Sequence, residues 1–225
     1  MIDLDRKGEV FVLRMDSGEN RFSADFTPAL NRALDEVEAA PGPKALVTTG
    51  TGKFYSNGLD LEEMMRGGAP AHAESYLQSV LSVLGRVLVF PAITVAAVNG
   101  HAFGAGAQMA VAHDFRLMRS DRGFYCLPEI DMRVPLHVGM VELLKARIPA
   151  RTAHEVLVTG KRWGGAEAAA RAIVDEAVTE EQLLPRAIEI AAALTSKADP
   201  VLGTIKRSIY PHVLEALKQP AARPA

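Results

Sequence analysis

The order of apolar and polar residues divides the first half of the chain into alternating strands and helices. Short runs rich in β-branched and aromatic residues predict the strands, and apolar residues three and four positions apart predict the helices. The predicted strands lie at residues 2–5, 9–15, 45–49, 92–98 and 113–118. The predicted helices lie at residues 26–37, from about residue 60, and at residues 77–88. This alternation is typical of a mostly parallel α/β sheet with right-handed crossovers.

The pattern changes near Pro135, after which almost every apolar residue lies at helical spacing. One strand-like segment interrupts this region at residues 172–175. We expect Pro211 to bend or end the last helix, because proline lacks the N–H that a helix interior needs. From Lys218 onward we expect a frayed tail. A loop is expected at residues 50–58, between a predicted strand and the helix that follows.

Composition narrows the class of protein. The chain has 225 residues, 48% of them apolar, and a net charge of −2 without a basic block, so we expect one good-sized domain and no nucleic-acid partner. The single Cys126 excludes a disulfide framework and is expected to be a small core residue. The apolar run at residues 87–98 is interrupted by Pro91 and is too short to cross a bilayer. No signal peptide is evident, so we expect a cytoplasmic protein without membrane contact.

Two glycine-rich helix starts are candidates for binding a negative charge. Asn57, Gly58, Leu59 and Asp60 follow one predicted strand, and the segment 99–106 repeats the same order of strand, turn and small residues. Such helix starts leave backbone N–H groups free, and small side chains let a ligand approach them. Each segment alone equally fits a tight turn. Together, at the ends of predicted parallel strands, they favour a two-donor oxyanion hole.

Glu129 is the candidate acid/base residue. Its neighbours Tyr125, Cys126, Leu127, Pro128 and Ile130 are mostly apolar, and burial among them would raise its pKa toward neutrality. The alternative is an exposed loop glutamate, which is the commoner case for a single such residue.

Two further polar residues flank this constellation. Gln108 follows the second glycine-rich segment, and its amide cannot take up a proton. His101, which follows the Asn99–Gly100 turn, is expected to make hydrogen bonds at a helix start rather than to bind a metal. No metal site is expected.

Five motifs lie at residues 54–61, 93–106, 127–129, 158–160 and 166–175. In their order and spacing they resemble those of the crotonase superfamily, also called the enoyl-CoA hydratase/isomerase family. The resemblance implies an α/β crotonase fold, a spiral of ββα units with a helical C-terminal region. It further implies a core domain at residues 1–195 and a C-terminal helical segment at residues 196–225 that serves oligomerisation or acts as a lid. Trimers, often paired into hexamers, are the assembly that the resemblance implies.

Carried over to this chain, the resemblance implies that the N–H groups of Leu59 and Ala105 polarise the thioester carbonyl of an acyl-CoA. Glu129 matches the second of the two glutamates that hydratases use, and Gln108 stands at the position of the first. The residues expected to contact substrate are Asn57, Gly58, Asp60, Gly104 and Gln108. CoA is part of the substrate, so no separate cofactor is expected. One carboxylate suffices for a Δ3-to-Δ2 isomerase, and residues 121–123 and 129–131 most resemble plant-type enoyl-CoA isomerases.

Several alternatives stay open at this point. Gln108 could orient water in a hydratase, and an acyl-CoA lyase or thioesterase also fits the resemblance. A paralogue that binds CoA without catalysis is the alternative from another class. Arg133 stands near a position that is often glycine in the family, which would alter the rim of the pocket. Lys206 could approach a CoA phosphate, although a solvated helix lysine is the commoner case.

Overall fold

A computed structural model describes residues 1–221, in which nine strands form two sheets surrounded by eleven α-helices. The strands are β1 (Ile2–Lys7), β2 (Val10–Met15), β3 (Ala45–Gly50), β4 (Phe54–Ser56), β5 (Ile93–Val98), β6 (His101–Phe103), β7 (Phe115–Arg119), β8 (Tyr125–Cys126) and β9 (Glu176–Val178). The helices are α1 (Phe26–Ala39), α2 (Leu61–Met65), α3 (Pro70–Leu88), α4 (Ala105–Ala112), α5 (Glu129–Met132), α6 (Val138–Arg147), α7 (Ala150–Thr159), α8 (Gly165–Ala170), α9 (Glu180–Ala192), α10 (Pro200–Ile209) and α11 (Pro211–Leu217).

The large sheet has the strand order β1-β2-β3-β5-β7-β9 and is parallel except for the β1–β2 pair. Val47 at its centre pairs with Val12 on one side and with Val95 on the other. Helix α9 covers one face of this sheet, and the main hydrophobic core fills the other. Burial on both faces explains why β3 has a continuous rather than an alternating pattern. The expected parallel α/β arrangement is confirmed.

The small sheet, of order β4-β6-β8, was not predicted. Its strands have only two or three residues, too few for a period of two to be recognised. Strand β4 lies inside the segment expected to be a loop, and β6 lies inside the expected helix start. His101 therefore opens a strand and pairs with Phe54, so its expected place at a helix start is wrong. Its ring lies 4.9 Å from Phe103 and 5.6 Å from Phe124, and its Nδ1 has no hydrogen-bond partner among the described residues.

The two sheets are connected by a repeated unit. Three times in succession, a strand of the large sheet leads to a strand of the small sheet and then to a helix: β3-β4-α2, β5-β6-α4 and β7-β8-α5. These repeats confirm the expected spiral of ββα units, followed by a helical C-terminal region. Because β4, β6 and β8 run parallel and each leads toward a helix, the three strand-to-helix junctions lie at the same edge of the small sheet.

The C-terminal region differs from expectation in two places. Its strand is Glu176–Val178, whereas residues 172–175 form a turn in which Ala172 has a φ of 53° and Ile173 is buried. The expected frayed tail is wrong for residues 218–221: the Gln219 carbonyl accepts hydrogen bonds from Gln78 and His137. Residues 222–225 of the expected tail lie outside the described part. The domain boundary at residue 195 stays a prediction.

Pro211 behaves as expected, since α10 ends at Ile209 and Pro211 begins α11. Within residues 1–221, no helix combines the length and the apolar character needed to cross a membrane.

Lys206 has neither of its expected roles, because it is only 4% exposed. Its Nζ donates to the carbonyls of Phe90 and Ala92, both at 3.0 Å, and forms an ion pair with Asp114 at 2.6 Å. Burial lowers the pKa of Lys206, and the Asp114 carboxylate opposes that change. The residue anchors α10 to the segment before β5 and is neither a free cation for a phosphate nor a solvated helix lysine.

His113 gives the fold a pH dependence. It is fully buried, and burial lowers its pKa to about 4. Its Nδ1–H donates to the Met109 carbonyl at 2.8 Å, which leaves Nε2 to accept from the Thr48 hydroxyl at 2.9 Å. The neutral ring is thus fully paired. Protonation of Nε2 would set a donor against the hydroxyl and charge a buried ring.

We therefore expect the free energy of unfolding to fall as the pH drops below about 6.5, where the unfolded chain takes up a proton at His113 and the folded chain does not. The loss continues to about pH 4 and amounts to roughly 3 kcal/mol. Urea denaturation of wild type and His113→Gln between pH 7 and pH 4 measures it. The free energy of unfolding of His113→Gln should not show this decrease at low pH. His154→Gln changes an exposed histidine and should show the same decrease as wild type. An equal slope in all three proteins would contradict the assignment.

Candidate active site

Glu129 begins helix α5, and its side chain turns inward. Its Oε2 is buried and has no hydrogen-bond partner among the described residues. Burial raises the pKa of Glu129, and its own backbone N–H opposes this only in part. The alternative of an exposed loop glutamate is therefore excluded by the geometry. A desolvated, unpaired carboxyl of this kind is suited to take up and return a proton.

Two backbone N–H groups are free at the neighbouring junctions. Neither the Leu59 N–H nor the Ala105 N–H donates a hydrogen bond within residues 1–221. The two segments touch: a Cβ placed on Gly58 would lie 2.7 Å from the Phe103 carbonyl oxygen and 2.9 Å from the Ala105 nitrogen. A Cβ placed on Gly104 would lie 3.4 Å from Oε1 of Glu129. The free donors and the carboxyl therefore belong to one small region.

Local sequence explains this close approach. Gly58 has a φ of 81° and Gly104 a φ of 51°, conformations that L side chains rarely adopt. Helix α4 is buried along its whole length and carries mostly small residues, so it packs directly against β4 and β6. At Gly106 a Cβ would lie only 2.3 Å from the Ser56 carbonyl oxygen. The N-terminus of α4 is thus held beside the small sheet, with its first N–H groups free for a ligand.

The Glu129 carboxyl and the start segments at Leu59 and Ala105 line a cavity of about 270 Å³. The residues that line it come from all three ββα junctions and from the segment before α1: Arg21, Asn57, Leu59, Leu61, Phe103, Gly104, Ala105, Pro128, Glu129, Met132 and Val134. Five of the eight predicted site residues are among them. The cavity is mainly apolar, with a few polar groups directed into it, as is usual for small-molecule sites.

The other three predicted site residues do not line the cavity. Gly58 supports it through the contact with the start of α4. Asp60 caps α2, because its side chain accepts from the N–H groups of Glu62 and Glu63 at 3.2 Å each. Gln108 is fully buried, and its amide group has no partner among the described residues. A direct contact of these three residues with substrate stays a prediction.

Six lining residues were not predicted as site residues: Leu61, Phe103 and Pro128 lie within the recognised motifs, and Arg21, Met132 and Val134 lie outside them. Arg21 is held by the Glu19 carboxylate at 2.6 Å, and the same carboxylate accepts from Asn57 at 2.8 Å. Arg21 and Val134 lie in irregular segments and Met132 ends the four-residue helix α5, so none of them shows a periodic pattern, and only the folded chain brings them to the cavity. Arg133 is exposed with a φ of 56°, which explains why glycine would also suit this position.

The contact at Gly58 allows a test of the site's geometry. We expect Gly58→Ala to destabilise the fold by about 1–3 kcal/mol, because the new Cβ meets backbone atoms and the positive φ is strained. We also expect activity to fall, since the start of α4 must shift. Gly8→Ala is a matched control, because Gly8 has a φ of 63° and a Cβ placed on it would meet nothing within 4 Å. Urea denaturation of both variants measures the difference, and equal losses would contradict the contact.

The spiral of ββα units and the composition of this cavity define the class of protein. The model of the enoyl-CoA hydratase/isomerase family matches residues 5–223, nearly the whole chain, so the chain belongs to this family. The resemblance to the crotonase superfamily is thereby confirmed.

Two relatives and one solved structure show which members of the family this chain is similar to. Enoyl-CoA delta isomerase 3 from Arabidopsis thaliana is 32% identical over 222 residues, which cover 95% of this chain and 93% of that protein. A second relative from the same plant, enoyl-CoA delta isomerase 2, peroxisomal, is also 32% identical, over 224 residues with the same coverage. Among solved structures, the human mitochondrial delta3-delta2-enoyl-CoA isomerase matches with a TM-score of 0.88 at 25% identity, covering 96% of this chain and 85% of that one.

Proposed function

We propose that the protein is a Δ3-to-Δ2 enoyl-CoA isomerase with Glu129 as its single acid/base. The observation that carries the proposal is that Glu129 is the one carboxylate lining the cavity among the described residues. The similarity to plant and human enzymes named as enoyl-CoA isomerases supports the same function.

The proposed reaction moves one proton and one double bond. The thioester oxygen accepts hydrogen bonds from the Leu59 and Ala105 N–H groups, which stabilise the charge that develops on it. The Glu129 carboxylate takes a proton from C2, and the electron pair of that C–H bond enters a dienolate that extends from the thioester oxygen to C4. Glu129 then returns its proton to C4, so that the double bond moves from C3–C4 to C2–C3. No water is consumed.

Hydration is the principal alternative, and the family description is compatible with it. A hydratase adds water across C2–C3 and needs a group that deprotonates this water. Gln108 cannot take up a proton, and it does not line the cavity. These two facts favour isomerisation over hydration. A lyase, a thioesterase or a CoA-binding protein without catalysis has no specific observation in its favour.

The proposed function is tested with two substrates supplied separately. We expect the purified protein to convert trans-3-hexenoyl-CoA to trans-2-hexenoyl-CoA, and to form little 3-hydroxyhexanoyl-CoA from trans-2-hexenoyl-CoA. Separation of the products by liquid chromatography and mass spectrometry measures both reactions. Hydration at a rate comparable to isomerisation would contradict the single-base proposal. Binding of both thioesters without conversion would favour a non-catalytic role.

Two further features stay predictions under this proposal. One is a cytoplasmic location, although two relatives are named as peroxisomal. The other is assembly into a homotrimer or a hexamer.

A further inference from the structure

We propose that the acyl chain of the 3-enoyl-CoA substrate extends beyond the cavity, and that Met132 and Val134 form a strip on which its distal part lies. This proposal rests on the proposed function, because it assumes that C2 and C4 of the acyl group lie beside Glu129. The strip is defined by these two residues alone.

The strip begins beside Glu129, where the reacting carbons of the substrate are proposed to lie. Met132 lies three residues after Glu129, so that both side chains lie on the same face of α5. Arg133 then turns the chain back, with its φ of 56°, and the Val134 N–H donates to the Glu129 carbonyl at 3.0 Å. Both apolar side chains are thus held next to Glu129. An acyl chain whose C2 and C4 lie at the carboxyl meets them as its next contacts.

The strip also extends beyond the cavity. Met132 and Val134 line the cavity, yet they are 48% and 49% exposed. They therefore form both its wall and its opening. The lining also has a polar part, where Arg21 and Asn57 both contact the Glu19 carboxylate, and this part suits the amide-containing part of a CoA thioester better than a hydrocarbon chain.

The cavity is small and open, so a long acyl chain would extend beyond it. The cavity has a volume of about 270 Å³ and an opening at which Met132 and Val134 are exposed. A longer acyl chain must leave the cavity along its apolar side. There it would cover Met132 and Val134, which otherwise expose apolar surface to water.

The experiment measures kcat/KM for trans-3-enoyl-CoA substrates of 6, 8, 10 and 12 carbons with wild type, Met132→Ser and Val134→Ser. Apolar contact contributes about two- to fourfold per buried methylene, depending on how fully it is covered. We expect kcat/KM to be at least about tenfold higher for the 12-carbon than for the 6-carbon substrate in wild type. Each variant should lower this ratio by about threefold or more. Val158→Ser is the matched control, because Val158 on α7 is 50% exposed and does not line the cavity.

The outcomes separate this proposal from the proposed function. Conversion of the 6-carbon substrate with an equal kcat/KM for all chain lengths would overturn the strip and leave the isomerase proposal intact. If both variants kept the wild-type ratio of kcat/KM between the 12-carbon and the 6-carbon substrate, the strip would also be overturned. A lower molecular mass of those variants by light scattering would then assign Met132 and Val134 to a contact between copies of the chain. Conversion of no substrate of any length would overturn both proposals.

Discussion

Glu129→Gln is expected to lower kcat for isomerisation by about 10²–10⁴-fold, the range over which a positioned acid/base residue contributes. The amide has nearly the size of the carboxyl and fits the same space, but it cannot take a proton from C2. The buried Oε2 has no partner among the described residues, so the substitution breaks no ion pair and should leave the fold intact. Initial rates with trans-3-hexenoyl-CoA, together with a urea denaturation curve, measure the two effects separately.

Asp131→Asn is the matched control for this variant. It removes a carboxylate from the same helix, but Asp131 is exposed and does not line the cavity. The pH dependence of wild type offers a second readout. Because Glu129 must be ionised to act and its pKa is raised by burial, kcat/KM should fall as the pH drops through a value above the ordinary 4.5 of a glutamate. A variant Glu129→Gln that is as active as Asp131→Asn would contradict the role of Glu129.

Ala105→Pro is expected to lower kcat by about 10²–10³-fold, the typical effect of removing one oxyanion donor. Ala105 is the first residue of α4, a position where proline is well tolerated because its N–H has no partner within the helix. The substitution therefore removes the donor at a site where proline suits the helix start. Steady-state kinetics with the 6-carbon substrate measure the loss.

Ala105→Gly is the control, because it changes the side chain and keeps the N–H. This variant should retain most of the wild-type kcat. A second comparison checks that Ala105→Pro is folded: its circular dichroism and urea midpoint should stay close to those of wild type. If the two variants lost activity to the same extent, the side chain at residue 105 would matter and its N–H would not.

The large sheet and its helices could be predicted because their patterns are long. Helices α1 and α3 have 14 and 19 residues, and strands β3 and β5 have six each, so their apolar periods are clear. The small sheet could not be predicted in this way, because its strands are too short to show a period. It nevertheless carries the site, since β4 and β6 lead directly into the segments with the free N–H groups.

The site residues that could be predicted are likewise those with a clear local pattern. The burial of Glu129 could be inferred from its apolar neighbours, and the turns at Gly58 and Gly104 from their glycines. Val134 reaches the cavity only because Arg133 adopts a positive φ, which a single sequence does not reveal.

The prediction for Lys206 was wrong because its partners are distant in sequence. Phe90, Ala92 and Asp114 are 92 to 116 residues away along the chain. Its helical spacing alone suggested an exposed residue. Long-range packing, rather than local propensity, decides its burial.

The central claim is that one carboxylate, Glu129, carries a proton from C2 to C4. Its most direct test uses trans-3-hexenoyl-CoA with deuterium at both C2 positions, converted in ordinary water and analysed at the earliest turnovers by mass spectrometry and NMR. The predicted result is trans-2-hexenoyl-CoA with deuterium at C4 above the natural background, formed at a much lower rate by Glu129→Gln. Product without deuterium at C4, formed as fast by Glu129→Gln as by wild type, would contradict the claim.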